Sequence, residues 1–252
     1  VEQDANDWWG TVVATVRECV HSFAHTDQIS SLSMSTQGGS LVLVDGSCRP
    51  LHNAITWMDA RGRDVLPELF TKVPELEIYR ISGWKASGSL CAAKMLWLNK
   101  HMPELVSKAH KVLTTVDFVN YKLTGRYAID QTNAGITQLF DMNTKKWSAK
   151  MLEAAKVPES LLPEVVMTGE VIGTLTTEAA AELGLPATVK VVSGAHDQYA
   201  AATGAGAVNP GDVLLSTGTA WAPLGISSTP LFDDKTQVGV GSHTVSGLFG
   251  VL

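Results

Sequence analysis

The residues of this sequence that could carry out acid–base chemistry are concentrated in one stretch, VVSGAHDQYAAATGAG, at positions 191–206. An apolar run ends in Ser-Gly-Ala and is followed by three polar residues, His196, Asp197 and Gln198. The apolar run predicts a strand, and the Ala/Gly-rich segment after it predicts a helix. Because α/β sheets bind ligands beyond the carboxyl ends of their strands, Asp197 stands where an active-site carboxylate is expected.

A purely structural role for Asp197 explains the same pattern. Aspartate is favoured as an N-cap, where free N–H groups and the helix dipole stabilise its charge. His196 beside Asp197 could be taken as a base or metal ligand, but we discount the pair because adjacent side chains do not point at one atom. Gly204 and Gly206 each weaken a helix by about 1 kcal/mol relative to Ala. That cost predicts the close approach of another backbone or a ligand.

A second candidate site is LSTGTAW, at positions 215–221. Hydroxyl groups and a glycine in a tight hairpin turn can present backbone N–H groups to phosphate oxygens. An ordinary hairpin turn is the alternative.

Other catalytic motifs are incomplete. GAVNPGD has the glycine spacing of a P-loop, but Asp212 replaces the required Lys. HSFAH spaces His21 and His25 like zinc ligands, but it lacks the Glu of a zinc protease and a third ligand. No GxGxxG follows a strand, and Ser216 has no nucleophile elbow. P-loop, dinucleotide, zinc-protease and hydrolase chemistry are therefore not supported.

Composition limits the class of protein. The chain has 252 residues, 45% hydrophobic and 17% charged, which is typical of a globular protein with a substantial core. A net charge of -6 without a Lys/Arg run makes nucleic acid an unexpected partner. The longest uncharged span, 213–232, is interrupted by Ser, Thr, Gly and Pro, so we expect no membrane helix. Three cysteines without CxxC spacing indicate reduced thiols, and we expect a cytoplasmic protein.

Hydrophobic periodicity predicts alternating strands and helices. Asp4 should cap a first helix, and five more helices are predicted at 59–70, 92–101, 117–123, 148–155 and 178–183. Strands are predicted at 29–34, 41–44, 51–57, 111–113, 137–141 and 189–192. From Gly211 onward the pattern is hairpin-like, which places a domain boundary near 207–211. Mixed strands and helices with hairpins indicate an α/β fold with a mixed sheet.

Several segments, in order, resemble one family, the FGGY carbohydrate kinases, which include xylulose, glycerol and gluconate kinases. The similarity covers nearly the whole chain. The segments are VEQDANDWW, MSTQGGSLVLVD, AITWMDAR, SLCAAKMLWLNKH, TVDFVNYKLTGR, IDQTNAGIT, SGAHDQ and LSTGTAW. In the fourth of them Cys91 departs from the small hydroxyl residue or Pro usual in the family.

The resemblance implies an actin-like, ribonuclease-H-like ATPase fold. Residues 1–207 would be the sugar-binding domain without its first strands, and residues 208–252 the beginning of the nucleotide-binding domain. ATP with Mg²⁺ would phosphorylate a sugar or polyol hydroxyl, with no protein metal ligand implied. The residues carried over are Asp197 as general base, Gln37, Gly38, Gly39, Ser89 and Gln198 at the substrate, and Gly218 and Thr219 at the nucleotide phosphates.

The substrate stays open. Gly38 and Gly39 occupy positions where xylulose kinases carry Met-His and glycerol kinases Arg-Glu, and Ser89 replaces an aromatic residue of glycerol kinases. A small-molecule sugar or polyol is the expected partner, and a homodimer is left open. The alternatives are a kinase of a non-sugar or signalling molecule and a non-catalytic binding protein of the same fold. We expect the full-length protein to be active and this 252-residue piece alone to be inactive.

Overall fold

Short helices and strands alternate along the residues that the computed structural model describes, 1–22, 25–217 and 221–252. The α-helices are α1 (Ala5–His21), α2 (Leu66–Lys72), α3 (Glu75–Ser82), α4 (Cys91–His101), α5 (Pro103–Ser107), α6 (Thr115–Thr124), α7 (Gln131–Ile136), α8 (Ala149–Ala155), α9 (Thr177–Leu183) and α10 (Asp197–Gly204). The strands are β1 (Glu2–Gln3), β2 (Ser31–Thr36), β3 (Val42–Val44), β4 (Ala54–Ile55), β5 (Lys111–Leu113), β6 (Ala128–Asp130), β7 (Phe140–Asp141), β8 (Lys146–Trp147), β9 (Glu164–Val166), β10 (Val171–Thr174), β11 (Lys190–His196), β12 (Val213–Thr217), β13 (Trp221–Ser227), β14 (Val240–Ser242) and β15 (Phe249–Val251).

The strands form a mixed arrangement, as the sequence predicts. A three-stranded sheet has the order β10-β11-β2, with β10 antiparallel and β2 parallel to β11. The pair β6-β9 is also parallel, whereas β1-β4, β3-β5 and β7-β8 are antiparallel. A four-stranded antiparallel sheet has the order β12-β13-β15-β14.

A bulge interrupts the pairing of β11 with β2. Val192 lies opposite Ser33 and Ala195 lies opposite Ser35, so β11 has one residue more than β2 in this interval. Gly194 stands in the bulge, and a Cβ atom there would lie 1.7 Å from the carbonyl oxygen of Met34. The close approach of the two backbones therefore requires glycine at this position.

Helices cover this sheet and bury its apolar residues. α6 contacts α1, α9, β2 and β11, and Val191 of β11 is fully buried in the core that these elements share. The Asp4 carboxylate accepts a hydrogen bond from the Asn6 N–H, which confirms the predicted cap of α1. The apolar side chains along α1 pack against this core from its surface.

The C-terminal strands contact the first part of the chain. Tyr79 donates a hydrogen bond to the Val238 carbonyl at 3.0 Å, and the Val240 N–H donates to the Gly83 carbonyl at 2.7 Å. The Tyr199 ring of α10 lies against β14 and β15, where Gly241 would clash with it if it carried a side chain. These contacts tie β14 and β15 to α3 and α10.

Several local predictions are confirmed by the structure. The strand at 111–113 and the helices at 92–101, 117–123, 148–155 and 178–183 are present with small differences at their ends. The hairpin-like pattern after Gly211 corresponds to the antiparallel pair β12–β13. The predicted strand at 189–192 is present but begins at Lys190, which is exposed, and continues to His196.

Three local predictions are wrong. The predicted strand at 51–57 is reduced to Ala54–Ile55. The predicted strand at 137–141 is reduced to Phe140–Asp141, because α7 precedes it and Gln138 adopts a positive φ of 61°. The predicted helix at 59–70 begins as a 3₁₀ segment, Arg61–Val65, and becomes α-helical only at Leu66, where Pro67 occupies the first turn. Proline favours that position because its missing N–H would be unpaired there in any case.

Within the described ranges, none of the helices has both the length and the apolar character that a membrane crossing needs. Cys19 is exposed, whereas Cys48 and Cys91 are buried, and all three are free thiols. Burial raises the pKa of the Cys91 thiol to about 11, so it is protonated near neutral pH.

Replacing Gly194 by Ala should destabilise the fold by at least about 2 kcal/mol, because the new Cβ would force apart the backbones of β11 and β2. Gly10→Ala is the matched control. Gly10 lies in α1, and beyond the neighbouring part of that helix no described atom lies within 4 Å of the position that its Cβ would take, so this change should stabilise the chain by about 1 kcal/mol. Urea unfolding of the 252-residue chain measures both changes. Equal stability of the two variants would contradict the proposed role of Gly194.

Candidate functional site

The candidate site lies where β2 and β11 end. The two strands are parallel neighbours, and their last paired residues are Thr36 and His196. The segments that leave the sheet at this edge begin with Gln37 and Asp197. Parallel pairing thus brings together two parts of the sequence that are far apart along the chain.

A cleft of about 790 Å³ opens at this edge. Five of the six residues predicted for the catalytic and substrate sites line it, namely Gln37, Gly38, Ser89, Asp197 and Gln198. The other lining residues are Trp57, Met58, Leu90, Ile136 and His196. The sixth predicted residue, Gly39, lies directly behind the cleft wall and is buried, with a φ of 74°.

Asp197 begins α10, but it does not cap the helix. His196 occupies the N-cap position, and the Asp197 side chain is 48% exposed. The capping interpretation of Asp197 is therefore wrong, because α10 begins one residue earlier than a cap at Asp197 would require. Its carboxylate faces the cleft, and a carboxylate is a group that can accept a proton from a hydroxyl.

His196 lies next to this carboxylate, contrary to the sequence analysis. Its Nε2 atom is 3.3 Å from Oδ1 of Asp197. The backbone changes from strand to helix between the two residues, and this change turns adjacent side chains toward the same cleft. Burial lowers the pKa of His196, so its imidazole is neutral near pH 7.

The imidazole also explains Gly38. A Cβ atom at position 38 would lie 2.6 Å from Cδ2 of His196 and 2.9 Å from Cγ2 of Ile136. The space that a side chain at position 38 would need is thus already filled. In this chain the ring of His196 forms the part of the cleft wall above Gly38.

Polar groups are distributed around the cleft. Among the described residues, Nε2 of Gln37 has two long contacts, 3.3 Å to Oε1 of Gln3 and 3.4 Å to Oγ1 of Thr115. Oε1 of Gln198 is buried and accepts no hydrogen bond from the described residues. Ser89 is half-buried at the cleft wall. These amides and the hydroxyl can bind the hydroxyl groups of a small polar ligand.

Trp57 and Met58 were not among the predicted site residues. Both line the cleft, and they are 51% and 54% exposed. Two adjacent apolar side chains exposed in a cleft give a ligand an apolar surface to contact. The signal available in the sequence was the segment AITWMDAR, which was matched to the family without assigning Trp57 to the site.

Lys94 lies behind the cleft wall and bonds two of the segments that form it. Its ammonium is fully buried and donates to the carbonyls of Gly39 at 2.9 Å and Thr56 at 2.7 Å. Burial lowers the pKa of Lys94. The two carbonyls precede Ser40 and Trp57, so one side chain of α4 joins the loop after β2 to the loop that carries Trp57.

The predicted nucleotide residues, Gly218 and Thr219, lie outside the described residues, whereas the flanking strands β12 and β13 are described and paired. Gly204 and Gly206 are exposed, and beyond their chain neighbours and their own helix no described atom lies within 4 Å of a Cβ placed on either one. The predicted approach of another backbone is therefore wrong among the described residues, and the approach of a ligand stays a prediction. Gly206 has a φ of 81°, the left-handed conformation that commonly follows the end of a helix.

Comparison with known proteins identifies related chains. Residues 1–204 match the family model described as "FGGY family of carbohydrate kinases, N-terminal domain". L-fuculokinase of Escherichia coli K12 is 34% identical over 200 residues, which cover 79% of this chain and 42% of the fuculokinase. Autoinducer-2 kinase of Yersinia enterocolitica is 30% identical over 252 residues, which cover 98% of this chain and 47% of that kinase.

A solved structure agrees with the fold. The xylulose kinase of Rhodospirillum rubrum superposes with a TM-score of 0.91 at 29% identity, covering 99% of this chain and 51% of the xylulose kinase. The predicted actin-like, mixed α/β fold class is thereby confirmed. The chain spans about half the length of the curated relatives it matches.

Lys94→Met should lower the free energy of unfolding by about 1–3 kcal/mol, because the carbonyls of Gly39 and Thr56 would lose their donor inside the protein. Lys150→Met provides the control. Lys150 is 48% exposed and pairs with Glu77 at the surface, so its loss should change stability by less than about 1 kcal/mol. Urea unfolding distinguishes the two variants. A Lys94→Met chain as stable as the parent would show that the two hydrogen bonds give no net stabilisation.

Proposed function

Because the chain belongs to the FGGY family of carbohydrate kinases, we propose that the whole protein transfers the γ-phosphoryl group of ATP to a hydroxyl of a sugar or polyol. The observation that carries this proposal is the position of Asp197, whose exposed carboxylate lies in a cleft lined by Gln37, Ser89 and Gln198. A cleft of about 790 Å³ with polar groups and one exposed tryptophan suits a small polyhydroxylated ligand.

The proposed reaction uses Asp197 as general base. Its carboxylate takes the proton of the substrate hydroxyl as that oxygen bonds to the γ-phosphorus. The bond between the γ-phosphorus and the bridging oxygen breaks, and its electron pair leaves with ADP. Phosphoryl transfer depends mainly on positioning and charge stabilisation, so a single placed carboxylate is a sufficient base.

The remaining roles follow from the cleft walls. Gln37 and Gln198 form hydrogen bonds with substrate hydroxyls. Ser89, two residues before α4, offers its own hydroxyl to the substrate. Trp57 offers an apolar face to the C–H groups of the ligand. ATP binds as its Mg²⁺ complex, with Gly218 and Thr219 assigned to its phosphates by family resemblance, and Mg²⁺ neutralises phosphate charge when bound.

A second candidate substrate is a small signalling molecule. The match to an autoinducer-2 kinase spans 98% of this chain, more than the 79% spanned by the match to L-fuculokinase. A panel of ketoses, polyols, sugar acids and autoinducer-2, scored by ADP release from the full gene product, separates the two candidates. Turnover of none of them would favour the non-catalytic binding protein.

Asp197→Asn in the full gene product should lower kcat by at least about 100-fold, because the amide cannot accept the hydroxyl proton. Circular dichroism and the thermal midpoint should be unchanged, since Asp197 is half-exposed and caps nothing. Asp64→Asn, at an exposed position away from the cleft, is the control and should keep full activity. A folded Asp197→Asn protein with near-normal kcat would remove Asp197 from the role of base.

The 252-residue chain alone should show no sugar-dependent ATP turnover. It spans about half of its relatives, and their remaining half is absent from it. Coupled ADP detection with and without sugar tests this, with the full gene product as the positive control. Sugar-dependent turnover by the chain itself would prove the expectation wrong.

A further inference from the structure

A threonine outside the cleft is bonded to the backbone at the start of α10. The N–H of His196 donates to Oγ1 of Thr132 at 2.8 Å. Thr132 lies in the first turn of α7 and is 3% exposed. It does not line the cleft, so direct contact with a ligand does not explain its position.

The hydroxyl of Thr132 is itself fixed. It donates to the carboxylate of Asp130, which is fully buried and is the N-cap of α7. The same carboxylate accepts from the N–H of Thr132 at 2.9 Å, the N–H of Asn133 at 3.0 Å and the Asn133 amide at 2.7 Å. The His196 N–H can only donate to Oγ1 of Thr132, so the hydroxyl proton of Thr132 points at Asp130. The oxygen of Thr132 then has its lone pairs free for His196.

The bonded N–H belongs to the residue immediately before Asp197. His196 is the N-cap of α10, and N–H groups at a helix start have no partner within the helix. The bond to Thr132 sets the orientation of the peptide between Ala195 and His196. That orientation determines where the chain turns and where the Asp197 carboxylate enters the cleft.

We propose that Thr132 is a positioning residue for the phosphoryl transfer, holding the β11–α10 turn through the His196 N–H so that Asp197 meets the substrate hydroxyl. This inference rests on the proposed function. Asp130 orients Thr132, Thr132 orients the turn, and the turn places the base. A displacement of the base of about 1 Å is enough to lower a rate by about 100-fold.

Two substitutions at one position test the proposal in the full gene product. Thr132→Val keeps the shape of the side chain and removes the hydroxyl, whereas Thr132→Ser keeps the hydroxyl. We expect Val to lower kcat by about 10- to 100-fold with the KM for sugar within about threefold of the parent. Ser should retain kcat within about threefold.

A control separates positioning from general stability. Thr176 is the N-cap of α9, away from the cleft, and its hydroxyl accepts from the N–H of Ala179 at 3.0 Å. Thr176→Val should lower the urea midpoint as much as Thr132→Val does, with kcat unchanged. A fall in kcat in both variants would assign the effect of Thr132 to stability and overturn the proposal.

Amide hydrogen exchange measures the bond without any assay of activity. In the 252-residue chain, exchange at His196 should accelerate at least tenfold in Thr132→Val and remain as in the parent in Thr132→Ser. Unchanged exchange in Thr132→Val would overturn the proposal whatever the substrate. If Thr132→Val does not fold, Thr132→Cys is measured instead, because a thiol is a weaker donor and acceptor than a hydroxyl. Exchange at His196 should again accelerate, and kcat should again fall.

The outcomes also distinguish this inference from the proposed function. A parent protein that phosphorylates a substrate while Thr132→Val retains its kcat overturns the inference and leaves the function standing. A parent protein inactive toward the whole panel overturns the function, and with it the assignment of Thr132 to phosphoryl transfer. Accelerated exchange at His196 together with a selective loss of kcat supports both.

Discussion

The parallel pairing of β2 with β11 is the interaction on which the candidate site depends. Parallel strands end at the same edge of a sheet, so the loop after Thr36 and the helix after His196 begin side by side. The bulge at Gly194 adds one residue to β11 and so determines which side chain arrives at that edge. Without the pairing, the residues of the cleft would have no common location.

Buried polar groups then fix the segments that leave the sheet. The Lys94 ammonium binds two carbonyls from different loops, and the Asp130 carboxylate collects donors from the start of α7. Burying such groups is costly unless they are hydrogen-bonded, and each of these has at least two partners. A buried polar network permits few alternative arrangements, which suits a site whose geometry must be held within a fraction of an ångström.

The C-terminal strands extend this arrangement beyond the first 207 residues. Tyr199 follows Asp197 in α10, and its ring packs on the glycines of β14 and β15. The helix that carries the candidate base therefore contacts the second part of the chain directly. A change in the position of these strands would therefore act on α10.

Local signals in the sequence were sufficient for many elements. The Asp4 cap, the strand at 111–113 and the hairpin after Gly211 depend on neighbouring residues, and their predictions are confirmed. The strand at 137–141 was wrong because α7, a helix of six residues, is too short to show a helical periodicity. Capping by Asp197 was wrong because α10 begins at Asp197 itself and His196 is the N-cap. The pairing of His196 with Thr36 places this strand–helix junction, and no local pattern records that pairing.

The sequence by itself determined the family and named five of the residues that line the cleft. Gln37, Gly38, Ser89, Asp197 and Gln198 were named from motifs, and the structure brings them to one cleft. Only the tertiary structure decided that His196 contacts Asp197 and fills the space that a side chain at position 38 would need. Only the tertiary structure placed Thr132 against the N–H of His196 at the β11–α10 turn. These are contacts between segments distant in sequence or across a change of backbone direction. Spacing along the chain carries no information about such distances, which are set by how the strands pair and the helices pack.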